Sequence, residues 1–167
     1  RWPGVLKSGT DVNRIANHYD ILPTFAEIVA GNPKQRDQLQ GRSLVPLLKD
    51  ANSPWEDRFR VFHKGRWANG TAAKSRDNGF AVRNQRFRLV GRDALYDMEQ
   101  DPSQTTNVIS EHPEIAKKMN DAYDEWYDGA LPNMVNEDAP LTGHNTFHLL
   151  FWQQNNMEVP PVRVRKP

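Results

Sequence analysis

The apolar and polar positions of the chain change period across residues 50–57, from a helical rhythm to a strand rhythm. Before that point Ile21, Leu22, Phe25, Ile28 and Val29 recur three or four apart, which sets them on one face of a helix. The spacing predicts a helix over 20–31. Asp20 is suited to accept hydrogen bonds from the free N–H groups of its first turn. Pro23 falls where a missing N–H costs little, and Gly31 supplies the left-handed residue that ends many helices. A helix of about three turns is marginal alone in water, so its apolar face needs a cover, expected to lie outside this chain. Leu44, Val45, Leu47 and Leu48 form a second apolar cluster, which Pro46 limits to about one turn.

Beyond residue 57, Phe59, Val61 and His63 alternate with Arg58, Arg60 and Phe62, as in a half-buried strand. Residues 80–83, 87–90 and 94–96 are three further strand candidates, separated by Asn84-Gln85 and by Gly91-Arg92-Asp93. Connections this short imply antiparallel pairing, because a parallel crossover takes about a dozen residues. Residues 68–79 are small and polar and predict a loop. His112-Pro113-Glu114 opens a helix over 112–129, whose Ile115, Met119, Ala122, Tyr123 and Trp126 share a face that can cover the sheet. From Leu131 onward no period is sustained, and an irregular tail is predicted. The expected fold class is α+β: a small antiparallel sheet of about four strands packed with helices. Three stretches follow, 1–50, 51–130 and 131–167.

Composition narrows the picture. The 167 residues are 37% hydrophobic and include 12 prolines, and the mean hydropathy is -0.80. Both suggest much loop and surface, in a subdomain that leans on a partner. The chain opens on Arg1 rather than Met, so a piece of a longer protein is expected. A net charge of +1 gives no long-range pull toward nucleic acid or an anionic membrane. No apolar run reaches the length of a spanning helix. With no cysteine, disulfides, zinc thiolates and thiol catalysis are excluded.

Chemistry is concentrated in one stretch, His63-Lys64-Gly65-Arg66-Trp67, with Lys74 and Arg76 in the loop that follows. Cationic donors beside an aromatic suit a sulfated or carboxylated sugar: a guanidinium forks onto anionic oxygens, and an indole face takes sugar C–H groups. The same residues also read as a basic strand end whose tryptophan closes the edge of the core. His144 and His148 share the i, i+4 spacing of metal ligands but lack the intervening Glu of a zinc protease helix. Glu56-Asp57 and Glu137-Asp138 read as solvated surface. Asn69-Gly70-Thr71 fits both a glycosylation acceptor and a turn.

The ordered blocks Arg1-Trp2-Pro3-Gly4, Asp20-Ile21-Leu22-Pro23-Thr24, Gly41-Arg42-Ser43-Leu44, Phe62-His63-Lys64-Gly65-Arg66-Trp67, Ala81-Val82-Arg83-Asn84-Gln85-Arg86-Phe87 and Leu95-Tyr96-Asp97-Met98 resemble the C-terminal part of bacterial arylsulfatases. Asp101-Pro102, Asn107 and Met134-Val135-Asn136-Glu137 extend the likeness. These enzymes are the formylglycine-dependent sulfatases of the alkaline-phosphatase-like superfamily. The resemblance implies that 1–50 are the last elements of the large α/β domain (a strand plus the helix 20–31), 51–130 the C-terminal subdomain and 131–167 its tail. It also implies a missing N-terminal catalytic domain as partner, and calcium and formylglycine as cofactors of the full-length family. A sulfated small molecule or glycan is the implied substrate, and a periplasmic or secreted location the implied setting. No Cys/Ser-x-Pro-x-Arg occurs in this chain, and Asp77-Asn78 falls outside the family's ligand positions. The chain alone is therefore expected to be inactive and, with its helix face uncovered, to self-associate. His63, Lys64, Arg66, Trp67 and Lys74 are the candidate substrate-binding residues. A sulfated-glycan binding module without chemistry and a purely structural lid are the alternatives.

Overall fold

The computed structural model of the chain describes residues 2–30, 39–65, 67–68, 70–134 and 143–161. Its centre is a four-stranded antiparallel meander of β1 (Arg60–His63), β2 (Phe80–Arg83), β3 (Phe87–Val90) and β4 (Ala94–Asp97), in that spatial order. The register aligns Val61 with Val82, Val82 with Leu89, and Leu89 with Leu95. One row of branched side chains thus crosses the sheet on a single face. The β2–β3 turn closes on Asn84, whose Oδ1 accepts from the N–H groups of Phe87 at 2.6 Å and Arg86 at 3.2 Å.

A long helix, running Pro113–Ala130, covers that face. Pro113 sits at its first position, where no intrahelical N–H bond is lost. Ala116, Met119, Tyr123 and Tyr127 make its buried line, with Ile115 and Trp126 at the margins. Tyr127 takes the central place that the sequence pattern gave to Trp126, because the helix lies on the sheet along the 116-119-123-127 stripe. Val82, Leu89, Leu95, Met119, Tyr123 and Tyr127 are completely buried.

Upstream, a 3-10 turn (His18–Asp20) leads directly into α1 (Ile21–Ala30), and α2 (Val45–Lys49) is a short helix with Pro46 in its first turn. The Pro113–Ala130 helix is α3 in this order. Asp20 does not act as the N-cap of α1. Asn17 caps the turn, its Oδ1 accepting from the His18 N–H, and the Asp20 carboxylate reaches back to the Asn17 N–H at 2.7 Å. The same carboxylate, fully buried, accepts from the Arg42 N–H at 2.8 Å and pairs with the Arg58 guanidinium. Gly41 is required beside it, because a Cβ there would lie 2.0 Å from the Tyr19 carbonyl oxygen. Gly31, expected to end the helix, lies outside the described residues.

Three further expectations are corrected. The strand expected within 1–50 is absent among the described residues, where 2–17 run as turns and irregular chain. The 68–79 stretch holds a 3-10 turn, Ala72–Ser75, with Ala72 and Ser75 buried against α3. The tail beyond 131, expected to be irregular, contains α4 (Thr146–Gln154), capped by Asn145, whose Oδ1 accepts from the Phe147 N–H at 2.9 Å. Its apolar residues Phe147, Leu149, Leu150, Phe151 and Trp152 run nearly all round the helix, so no single face shows in the pattern. Among the described residues no helix is long and apolar enough to cross a membrane.

Candidate functional site

β1 ends at His63, which pairs with Phe80 across the sheet and therefore points to the α3 side. Its ring sits among aromatics, 5.5 Å from Tyr127, 6.0 Å from Trp67 and 6.3 Å from both Tyr123 and Trp126. Nδ1 accepts from the Gly65 N–H and Nε2 donates to the Ser75 carbonyl, each at 3.1 Å. With both nitrogens engaged, His63 fastens the β1–β2 connection to itself. Lys64 is exposed, and its backbone N–H continues the strand by donating to Gly79 at 3.0 Å. Trp67 is half-buried against His63, and Lys74 is exposed on the Ala72–Ser75 turn. Arg66 lies outside the described residues, as does Asn69 of the glycosylation pattern. The structure thus brings His63 and Trp67 together and leaves Lys64 and Lys74 open to solvent on the same connection.

That connection is held down by α3. The Tyr123 and Tyr127 hydroxyls donate to the carbonyls of Arg76 and Ala72. Arg76 pairs with Asp124 at 3.0 Å and with Asp128, while Arg92 reaches Asp124 at 2.8 Å and Asp77 at 2.7 Å. The Arg92 guanidinium holds the Asp124 carboxyl below the usual carboxylate range, with Arg76 adding to it. Burial pushes the Tyr123 hydroxyl up. Asp124 and Asp128 were not singled out by the sequence pattern. Their i, i+4 spacing opposite the basic loop was the available signal.

A second polar node joins the upstream segment to the sheet. The Arg58 and Arg42 guanidiniums lie 5.6 and 4.9 Å from the Trp55 ring, Arg60 lies 5.3 Å from Tyr19, and the Ile15 N–H donates to the Gln85 side chain at 2.8 Å. Arg60, expected on the open side of β1, is buried by this contact. In the tail, His144 Nε2 bonds the Pro160 carbonyl at 2.7 Å, and both His144 and His148 pack on Trp152. Among the described residues no group of three or more His, Cys, Asp or Glu side chains is placed to hold a metal ion. Asp77, whose pairing with Asn78 drew notice in the sequence, is engaged by Arg92.

The same architecture occurs in solved structures. Ps i-CgsB superposes on 93% of this chain and 32% of its own with a TM-score of 0.59 at 17% identity. A protein solved with its substrate D-glucosamine-2-N,6-O-disulfate superposes on 77% of this chain and 28% of its own, with a TM-score of 0.55 at 23% identity. At such identities the likeness speaks for the fold. The meander covered by α3 is part of that shared fold. The chain belongs to the family described as N-sulphoglucosamine sulphohydrolase, C-terminal, whose pattern matches residues 1–128. Human arylsulfatase D is 26% identical over 118 residues, 68% of this chain and 20% of that protein. Human arylsulfatase K is 26% identical over 163 residues, 92% of this chain and 28% of that protein. The ulvan-active sulfatase of Formosa agariphila is 43% identical over 49 residues, 29% of this chain and 9% of that protein. The chain thus spans less than a third of the length of each of these relatives.

Proposed function

We propose that this chain is the C-terminal part of a sulfate-ester hydrolase, where it packs on the catalytic domain and borders the substrate cleft. The observation that carries the reading is an uncovered apolar face. Trp2, Leu6, Ile21, Phe25, Ile28 and Leu48 line an open groove of about 450 Å³, in a chain whose relatives are far longer. An apolar surface of this kind, continuous with Leu22 and Val29, marks a contact with another domain. On this reading the N-terminal α/β domain fills the groove and brings the calcium and the formylglycine. The chain alone then has no turnover on an aryl sulfate.

The rim of the cleft is His63, Lys64, Arg66, Trp67 and Lys74. The exposed ammonium groups of Lys64 and Lys74 act on a sulfated substrate as point charges, and Trp67 offers an apolar surface beside them. The names of two relatives, an ulvan-active sulfatase and a protein bound to a disulfated glucosamine, favour a carbohydrate sulfate over a simple aryl sulfate. In the intact enzyme, Arg66→Ala should cost about 1.5–3 kcal/mol in kcat/KM on a sulfated sugar, as loss of a charge-assisted hydrogen bond does. A small aryl sulfate that does not reach the rim should lose much less. Equal losses on both substrates, or none on either, would remove the rim from the cleft.

A further inference from the structure

Where α3 ends, a groove of about 420 Å³ opens beside Trp126, bordered by Gln40, Glu125, Gly129 and Asn133. The indole is held in place from behind, 6.2 Å from Tyr123, 6.4 Å from Tyr127 and 6.3 Å from His63. Little side-chain freedom is left for a ligand to remove. Asn133 is fixed at the groove's edge by donating through Nδ2 to the Gly129 carbonyl at 3.2 Å. The groove is open at Gly129: a Cβ there would meet no heavy atom within 4 Å.

A preset aromatic ring bordered by two amides and a carboxylate is the chemistry that recognises a pyranose. The ring's apolar face takes the sugar C–H groups, and the amide and carboxylate oxygens accept from hydroxyls. Glu125 also decides the charge of the occupant, because a sulfate placed beside its carboxylate would be repelled. Trp126 adjoins His63, from which the proposed rim departs. We propose that this groove is a subsite for an uncharged pyranose, the sugar next to the sulfated unit held at the rim. This rests on the reading of the chain as part of a sulfated-glycan hydrolase.

The test uses the intact enzyme with glucosamine 6-sulfate or galactose 4-sulfate, whichever is turned over, and with the same sugar linked to two neutral hexoses. Gly129→Leu fills the groove at a helical position where leucine is the better helix former. The wild type should favour the trisaccharide, and Gly129→Leu should lower the trisaccharide-to-monosaccharide ratio of kcat/KM by about tenfold, equivalent to about 1.4 kcal/mol of contact. Gly129→Ala, which leaves the groove open, should retain the wild-type ratio. Thermal unfolding of each variant confirms that the fold is kept. A ratio unchanged by Gly129→Leu overturns the subsite. Should neither sulfated sugar be turned over, the hydrolase reading fails separately. Calorimetry with neutral trisaccharides of galactose, glucose and N-acetylglucosamine then decides the groove, and heat of binding lost in Gly129→Leu supports it. Absence of binding to all three overturns it.

Discussion

The chain contains two apolar helix faces of similar strength, and they meet opposite fates. α3 buries its stripe on the sheet, so that Met119, Tyr123 and Tyr127 are fully enclosed with Val82, Leu89 and Leu95. α1 leaves Ile21, Leu22 and Phe25 more than half exposed and Val29 85% exposed. What holds α1 to the rest of the chain is polar: the buried Asp20 carboxylate, tied to Asn17, Arg42 and Arg58, with Thr24 Oγ1 accepting from the Leu44 N–H at 2.9 Å. A helix fixed by hydrogen bonds at its start, with its apolar face outward, is positioned to serve as one half of an interface. The α3 half has a complete core of its own.

The largest effect expected on this contrast comes from Asp20→Ala. Removing one partner of a buried ion pair costs about 3–5 kcal/mol, because the other charge is left uncompensated. The loss should be local: hydrogen exchange should quicken for the amides of 17–30 while those of β2, β3 and β4 stay protected. Uniform loss of protection would show that the two halves unfold as one. Leu89→Ala, in the closed core, should cost about 2–5 kcal/mol in urea unfolding. Leu22→Ala on the open face should cost no more than about 0.5 kcal/mol in the chain by itself. In the intact protein Leu22→Ala should become much more costly, and equal small losses in both settings would leave the α1 face without a domain to cover.

A smaller effect is expected with pH. Asp97 lies below the usual carboxylate range, chiefly because Arg86 donates to it at 2.7 and 2.9 Å, with the Glu99 N–H adding to this. A carboxyl depressed in the folded state stabilises above its unfolded value of about 4. That contribution is lost as the pH falls through the lower folded value. Stability of the sheet half should therefore drop below pH of about 4, and Asp97→Asn should flatten the drop. A variant as acid-sensitive as the wild type would move the effect elsewhere. Smallest of all, Asp128→Asn should cost about 0–1 kcal/mol and less in high salt, as for exposed ion pairs. A larger, salt-independent loss would make the Arg76–Asp128 pair part of the core fastening of the β1–β2 connection.

The sequence by itself determined the elements whose causes are local. Alternation, two short turns and a Pro-started apolar helix were enough for the meander and for α3, since each depends on residues only a few positions apart. The ordered blocks pointed to the sulfatase resemblance, and the open face of α1 was legible as an apolar stripe with no evident cover. The candidate site was legible only as composition: His63, Lys64, Trp67 and Lys74 stood out as residue types, with nothing to show which way each would point. Tertiary structure decided those directions. It turned His63 toward Tyr123 and Tyr127, left Lys64 and Lys74 in solvent, and made Asp20 the partner of groups 22 and 38 residues away rather than a helix cap. It also hid Tyr127 and set Gly129 beside an open groove. Periodicity reports the face of a single element; which charges and rings meet depends on how separate elements pack, and no local spacing encodes that.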